Sequence, residues 1–251
     1  MRTTAATAPT AATALTAALL SVLVLFAAAG AGAQPFVRLG TDAGPILLAL
    51  NPETAPHHVA NFTHLCRTGF YDGTAFHRVI PGFMIQGGDP NSKNADRADD
   101  GQGGPRWRDV LADDELALFE RARAAIAAKG YALAGDQALL NAEFNAVRHE
   151  RGVLSMARAA DPNSAGSQFF ICVADVAHLD NKYTAFGRVV TGLDVVDAIV
   201  ASPRDRSDNP LQARRLLKAD VIDAAAGLTA DERAAWEALP RGAGAPAAVV
   251  R

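Results

Sequence analysis

Apolar and polar positions alternate along residues 36–50, as FVRL and then ILLAL, on either side of Gly40 and the pair Gly44-Pro45. A period of two marks a half-buried strand, so this stretch predicts a strand, a turn and a second strand. The period then lengthens. Asn51-Pro52-Glu53-Thr54 opens a helix, with Thr54 as the expected N-cap and Pro56 in the first turn. Val59, Phe62, Leu65 and Cys66 recur at helical spacing, and Gly69 supplies a stop. Residues 76–90, FHRVIPGFMIQGGDP, are again β-branched and aromatic, and predict two short strands hinged at Pro81-Gly82. Residues 167–173 predict a buried strand and residues 216–222 a last one. Between them Leu193, Val196, Ile199 and Val200 mark a second helix.

The remaining segments fit the pattern less well. Residues 91–141 open polar and glycine-rich, then start a helix at Asp113-Asp114-Glu115 that is expected to end at Lys129-Gly130, with charges that suit its dipole. Leu116, Phe119 and Ile126 share a face that Arg123 interrupts, which favours a solvated decoration over a binding element. Residues 224–251 are rich in Ala, Gly and Pro and read as a tail of low order, with room for one short helix capped by Thr229 and Glu232. Residues 1–33 read as a cleavable export signal. Arg2 precedes the apolar residues 15–29, and Ala31-Gly32-Ala33 provides small residues for cleavage, leaving Gln34 as the new terminus. The strongly apolar part, residues 19–29, is short for a membrane span.

Composition narrows the function. With 49% hydrophobic and 20% charged residues over 251 positions, the chain is globular and long enough for one buried domain plus appendages. A net charge of −3, without a dense basic patch, disfavours nucleic acid and anionic lipid as partners. Two cysteines, Cys66 and Cys172, fall on apolar faces and favour buried thiols over a disulfide. His57, His58 and His64 lie on the first helix without accompanying acid or cysteine spacing, so no metal is expected. The glycine pairs lack the lysine of a phosphate loop, and Ser155 and Ser167 lack a nucleophile elbow.

One residue stands out against its surroundings. Arg78 sits among Phe76, Val79, Ile80, Phe83, Met84 and Ile85. By spacing alone it reads as an arginine snorkelling from a strand edge. Its context changes that reading: FHRVIPGFMIQGGD, then GSQFFICV, then LDNKYTAFGRVV, in this order, resemble the cyclophilin family of peptidyl-prolyl isomerases over about residues 36–223.

The resemblance implies a mainly β fold, a closed antiparallel barrel of eight strands with a helix at each end, spanning residues 34–223 with the insertion 91–141. It implies cis–trans isomerisation of X-Pro bonds in proline-containing polypeptides, by a monomer, with no cofactor. The family's catalytic arginine falls on Arg78. Its proline pocket falls on Phe83, Met84, Phe170 and Leu179. Gln86 matches a glutamine that bonds the substrate backbone and helps position the arginine. Ala157 and Arg158 match backbone-contacting positions, and Gln168 lines the groove, while Phe169 and His77 are left to structure. Two positions depart from the cyclosporin-sensitive pattern: His178 stands for tryptophan and Tyr183 for histidine. These departures put drug sensitivity in doubt, not isomerase activity. The competing expectation is a proline-binding chaperone or scaffold module with incidental turnover, which the insertion and the tail favour.

Overall fold

The computed structural model describes residues 34–129 and 135–239, so the expected export signal lies outside the described residues. Eight strands form one antiparallel sheet: β1 (Phe36–Thr41), β2 (Gly44–Leu50), β3 (Arg78–Ile80), β4 (Met84–Gly87), β5 (Val153–Met156), β6 (Phe169–Cys172), β7 (Ala185–Thr191) and β8 (Leu216–Ile222). Their order is β3-β4-β6-β5-β7-β2-β1-β8. The sheet curls around one core. Val37, Leu39, Ile46, Leu48, Ile85, Leu154, Phe169, Ile171 and Phe186 all turn into it, each from a strand position whose neighbours point the other way. A fully closed barrel was expected. Among the described residues the edge strands β3 and β8 share no ladder; the flanking chain meets at one bridge, Ala75 to Arg215, with Phe76 N–H donating to Arg214 O at 2.8 Å.

Helix α1 (Pro56–Arg67) covers one side of the core with Val59, Phe62, Leu65 and Cys66. The Phe62 ring lies 5.1–5.3 Å from those of Tyr71, Phe169 and Phe186. The expected Thr54 cap is not used. The cap position is Ala55, whose side chain has nothing to offer. Glu143 does the work from a distant loop, accepting the His57 and His58 backbone N–H groups at 3.1 and 3.0 Å. A carboxylate there satisfies two orphan donors and meets the positive end of the helix.

The insertion divides into two parts of different character. Residues 89–104 fold back against the sheet around a 3-10 turn, Pro90–Lys93. Beyond them come α2 (Trp107–Val110) and α3 (Asp113–Ala127), joined by Trp107 against Phe119 at 4.9 Å. Helix α3 ends two residues before the expected lysine. After β7, α4 (Leu193–Val200) sends Val195, Val196, Ile199 and Val200 into the core. The segment expected to be a tail of low order is built as far as residue 239. Helix α5 (Ala230–Ala238) starts with Thr229 and Glu232 in a reciprocal capping box. It lies on the outer face of β1 and β2, because Phe36, Leu47 and Ala49 offer it an apolar surface. Phe36 meets Trp236 edge-on at 5.3 Å, and Arg38 grips Glu232 with two bonds of 2.8 Å. Among the described residues no helix is long and apolar enough to cross a membrane.

Candidate active site

Strand register assembles the site. Arg78 on β3 pairs with Gln86 on β4, Gln86 with Phe170 on β6, and Phe170 with Ser155 on β5. Directly opposed residues share a face, so this row stands on the outer side of the sheet. A second row, Ile80–Met84–Cys172, runs beside it. The intervening positions Val79, Ile85, Phe169 and Ile171 point into the core. Alternation thus splits FHRVIPGFMIQ and QFFIC into a structural half and an outward half.

The outward half builds a second apolar cluster. Met84, Val153, Phe170, Cys172, Val176, Leu179 and Ala185 are buried in it. Ile80, Phe83, Val147, Ala157 and Tyr183 pack at its edge while partly exposed. The Phe83 ring lies 5.9 Å from the exposed His178, and Tyr183 meets Phe170 edge-on at 5.9 Å. Arg158 covers the other face of this rim. Its guanidinium sits 4.5 Å from the Tyr183 ring centre and bonds to the carbonyls of Ala159, Ala160 and Lys182. All four pocket positions expected from the sequence, together with Ala157, Tyr183 and His178, therefore meet at one apolar surface that opens to solvent.

Arg78 itself is exposed, as the strand-edge reading of its spacing has it. It lies on the edge strand, so its side chain has water on one side. Its Nη1 donates to Gln86 Oε1 at 3.4 Å. Gln86 Nε2 donates to Gln168 Oε1 at 3.0 Å, and Gln168 Nε2 donates to Gly101 O and Gly103 O at 3.0 and 2.8 Å. The arrangement offers one cation at the rim of an apolar surface, held by a chain of amides. Among the described residues no group of three or more His, Cys, Asp or Glu is placed to hold a metal.

Three polar groups, two buried and one half-buried, were not singled out from the sequence. His149 lies under the pocket floor, its ring stacked on Phe170 at 6.1 Å. Its Nδ1 faces Asp180 Oδ1 at 3.1 Å and its Nε2 faces Ser155 Oγ at 2.9 Å. Burial pushes the His149 pKa down, against the pull of Asp180. With Nδ1–H given to Asp180, neutral His149 keeps a lone pair for the Ser155 hydroxyl, which has Thr184 O at 3.0 Å as its other acceptor. Ser155 is fully buried, so the trio braces the floor and is no nucleophile. Glu143 is the second. Burial pushes its carboxyl up, but hydrogen bonds from His58 and His57 outweigh that and hold it down at about 2. Asp89, fully buried, is the third. The sequence signal for all three was a polar residue inside or flanking a family-like run, and that signal names no partner. Both cysteines are buried and unpaired. Burial raises both thiols, Cys172 to about 12, which leaves them unreactive.

The described geometry agrees with what comparison with known proteins finds. Residues 36–221 match the family model for cyclophilin type peptidyl-prolyl cis-trans isomerases. A probable peptidyl-prolyl cis-trans isomerase of Brucella suis is 36% identical over 202 residues, covering 80% of this chain and 90% of that protein. The isomerase ppi1 of Schizosaccharomyces pombe is 38% identical over 187 residues, covering 74% and 98%. Among solved structures, a cyclophilin type isomerase of Cryptosporidium parvum superposes with a TM-score of 0.59 at 27% identity, covering 76% of this chain and 98% of that one. The chain belongs to the cyclophilin family and is a peptidyl-prolyl cis-trans isomerase.

Proposed function

We propose that this chain accelerates X-Pro rotation by donating a hydrogen bond from Arg78 to the prolyl nitrogen while the ring rests on Met84, Phe170 and Leu179. Rotation must break amide resonance, at a barrier of about 18–20 kcal/mol. No bond is made or cut, so a catalyst need only bind the twisted amide better than either planar form. In the twisted state the nitrogen becomes pyramidal and gains a lone pair that a fixed donor can meet. Such a donor is typically worth about 2.7–4 kcal/mol. Arg78 is exposed in the free chain, so in this reading the bound polypeptide supplies the cover that strengthens the bond.

The observation that carries the reading is the cross-strand row in which Arg78 and Gln86 adjoin Phe170, with the apolar cluster alongside. In support, a structure of the Cryptosporidium parvum relative was determined in the presence of the dipeptide Ala-Pro. Gln86, Gln168 and the Ala157–Arg158 backbone serve as contacts for the substrate chain, with Phe83, His178 and Tyr183 as the rim. The test is a protease-free isomerisation assay on a short X-Pro peptide. Replacing Arg78 by Ala should lower kcat/KM by about 10²–10³ with peptide affinity largely kept. Full activity in that variant would overturn the mechanism. A binding module with incidental turnover would instead keep its protection of client proteins in the same variant. We further propose that the clients are exported proteins, reached after cleavage behind Ala33, and that the enzyme acts on them as a monomer. The intact mass of the exported protein checks the cleavage.

A further inference from the structure

We infer that the inserted turn at residues 99–103, anchored by Asp89, is a positioning element for Arg78, and that it acts by fixing which way two side-chain amides point. The argument rests on the reading of Arg78 as the catalytic donor. A guanidinium can only donate, so Gln86 must turn its oxygen toward Arg78. Gln86 then has only its NH2 left for Gln168, which must answer with an oxygen. Gln168 does so because its own NH2 is claimed by two carbonyls, Gly101 O and Gly103 O, which can only accept. The polarity of the relay is therefore set at the far end, in the insertion. Reversing Gln168 would bring its NH2 against that of Gln86 and its oxygen against two carbonyls.

The turn is held for this task from below. Asp89 takes the backbone N–H of Asn91 on Oδ1 at 2.8 Å and those of Gly101 and Gly103 on Oδ2. Asn91 Nδ2 donates to Asp99 O at 3.2 Å, and Asn209 Nδ2 donates to Asp100 Oδ2 at 2.7 Å from another loop. A Cβ at Gly103 would overlap Asp89 Oδ1, so only glycine lets the turn close on that carboxylate. Asp89, Gln168 and the Gly101 and Gly103 carbonyls do not touch the reacting nitrogen in this arrangement. They act through Gln86.

The test is Gln168→Glu, assayed from pH 4 to pH 8 on a short X-Pro peptide, alongside wild type and Arg78→Ala. Arg78 reaches position 168 through Gln86, and His77, which lies beside Gly101, feels Asp89, Asp100 and Arg78. The ionised carboxylate can accept from Gln86 but cannot donate to the two carbonyls. At pH 8 kcat should fall on the order of ten- to a hundredfold, beyond any rise in KM from the altered contact of position 168 with the substrate chain. Near pH 4, below the ordinary carboxyl value, the protonated carboxyl regains a donor, and the rate should recover toward that of wild type at the same pH. A wild-type kcat at pH 8, or a loss equal at both pH values, overturns the inference. Should the melting temperature show that this variant does not fold, Gly103→Ala loosens the turn without touching either amide. It should lower kcat with KM kept, and a wild-type kcat there overturns the inference equally. Full activity in Arg78→Ala would instead bring down the functional reading on which it rests.

Discussion

Glu143 stands in a polar loop, yet its two oxygens meet four donors: the backbone N–H and ring Nδ1 of both His57 and His58, at 2.6–3.1 Å. Replacing it by Gln turns an NH2 toward one of those N–H groups and strands it. Thermal or denaturant unfolding of Glu143→Gln should show a loss of about 1–3 kcal/mol, the usual cost of a buried unmet donor. A change within a few tenths would mean that water caps the helix equally well. His178 gives a second prediction at this scale. It is exposed and leans on Phe83, and an imidazole offers less apolar area than an indole. Cyclosporin should inhibit weakly; a nanomolar inhibition constant for the purified protein would refute this. Arg78, Gln86 and Phe170 were legible as candidates because their motifs travel intact along the chain, and strand register sets them in one row. The partner of Gln168 was not, since no periodicity links position 168 to carbonyls at 101 and 103.

Among elements, six of the eight strands and the two core-covering helices followed from hydrophobic period, β5 and β7 only from the family resemblance, and the one irregular pattern held information that the period alone missed. In ILLAL on β2 every residue is apolar, and all five are buried. Ile46, Leu48 and Leu50 face the core, while Leu47 and Ala49 face α5. A strand apolar on both sides implies cover on both sides. The cover came from residues 230–238, whose composition suggested a loose tail. The Thr229–Glu232 capping box foretold the helix, but composition did not show its docking, because α5 draws its order from the sheet beneath it and not from its own propensity. Trp236→Ala removes the ring that packs on Phe36 and should lower stability by about 1–3 kcal/mol, leaving kcat/KM unchanged since the pocket lies elsewhere on the sheet. Loss of activity in a fully folded Trp236→Ala protein would show that α5 reaches the site. The insertion was half legible. Its helix α3 was foreseen from charge and spacing, but the loop that opens it at residue 91 is pinned at Asn91, Gly101 and Gly103 by the buried Asp89.

For the molecule as a whole, buried ionisable groups predict a decline in stability on acidification in two stages. His77 and His149 both have pKa values pushed below the ordinary 6.5, chiefly by burial. The unfolded chain therefore binds protons that the native state refuses once pH falls through 6.5. Stability drops from there downward until the native histidines themselves titrate, by at most about 1.4 kcal/mol per pH unit for each. The second stage belongs to carboxylates. Glu143 and Glu232 are held at about 2, where burial opposes the hydrogen bonds from His58 and His57 in one case and the bond from Arg38 leads in the other. Their contribution is intact above the ordinary 4.5 and is lost as pH falls toward 2. The donor in the proposed mechanism, by contrast, is an arginine, a residue type that stays charged across this range. Denaturant unfolding at pH 8, 6.5 and 5, run beside isomerase assays on the still-folded protein, should find stability falling below pH 6.5 while the rate stays flat. Replacing His77 and His149 together by Gln should flatten the first stage and spare the second. A rate that tracks the loss of stability step for step would place a titrating group in the chemistry and remove Arg78 from its centre.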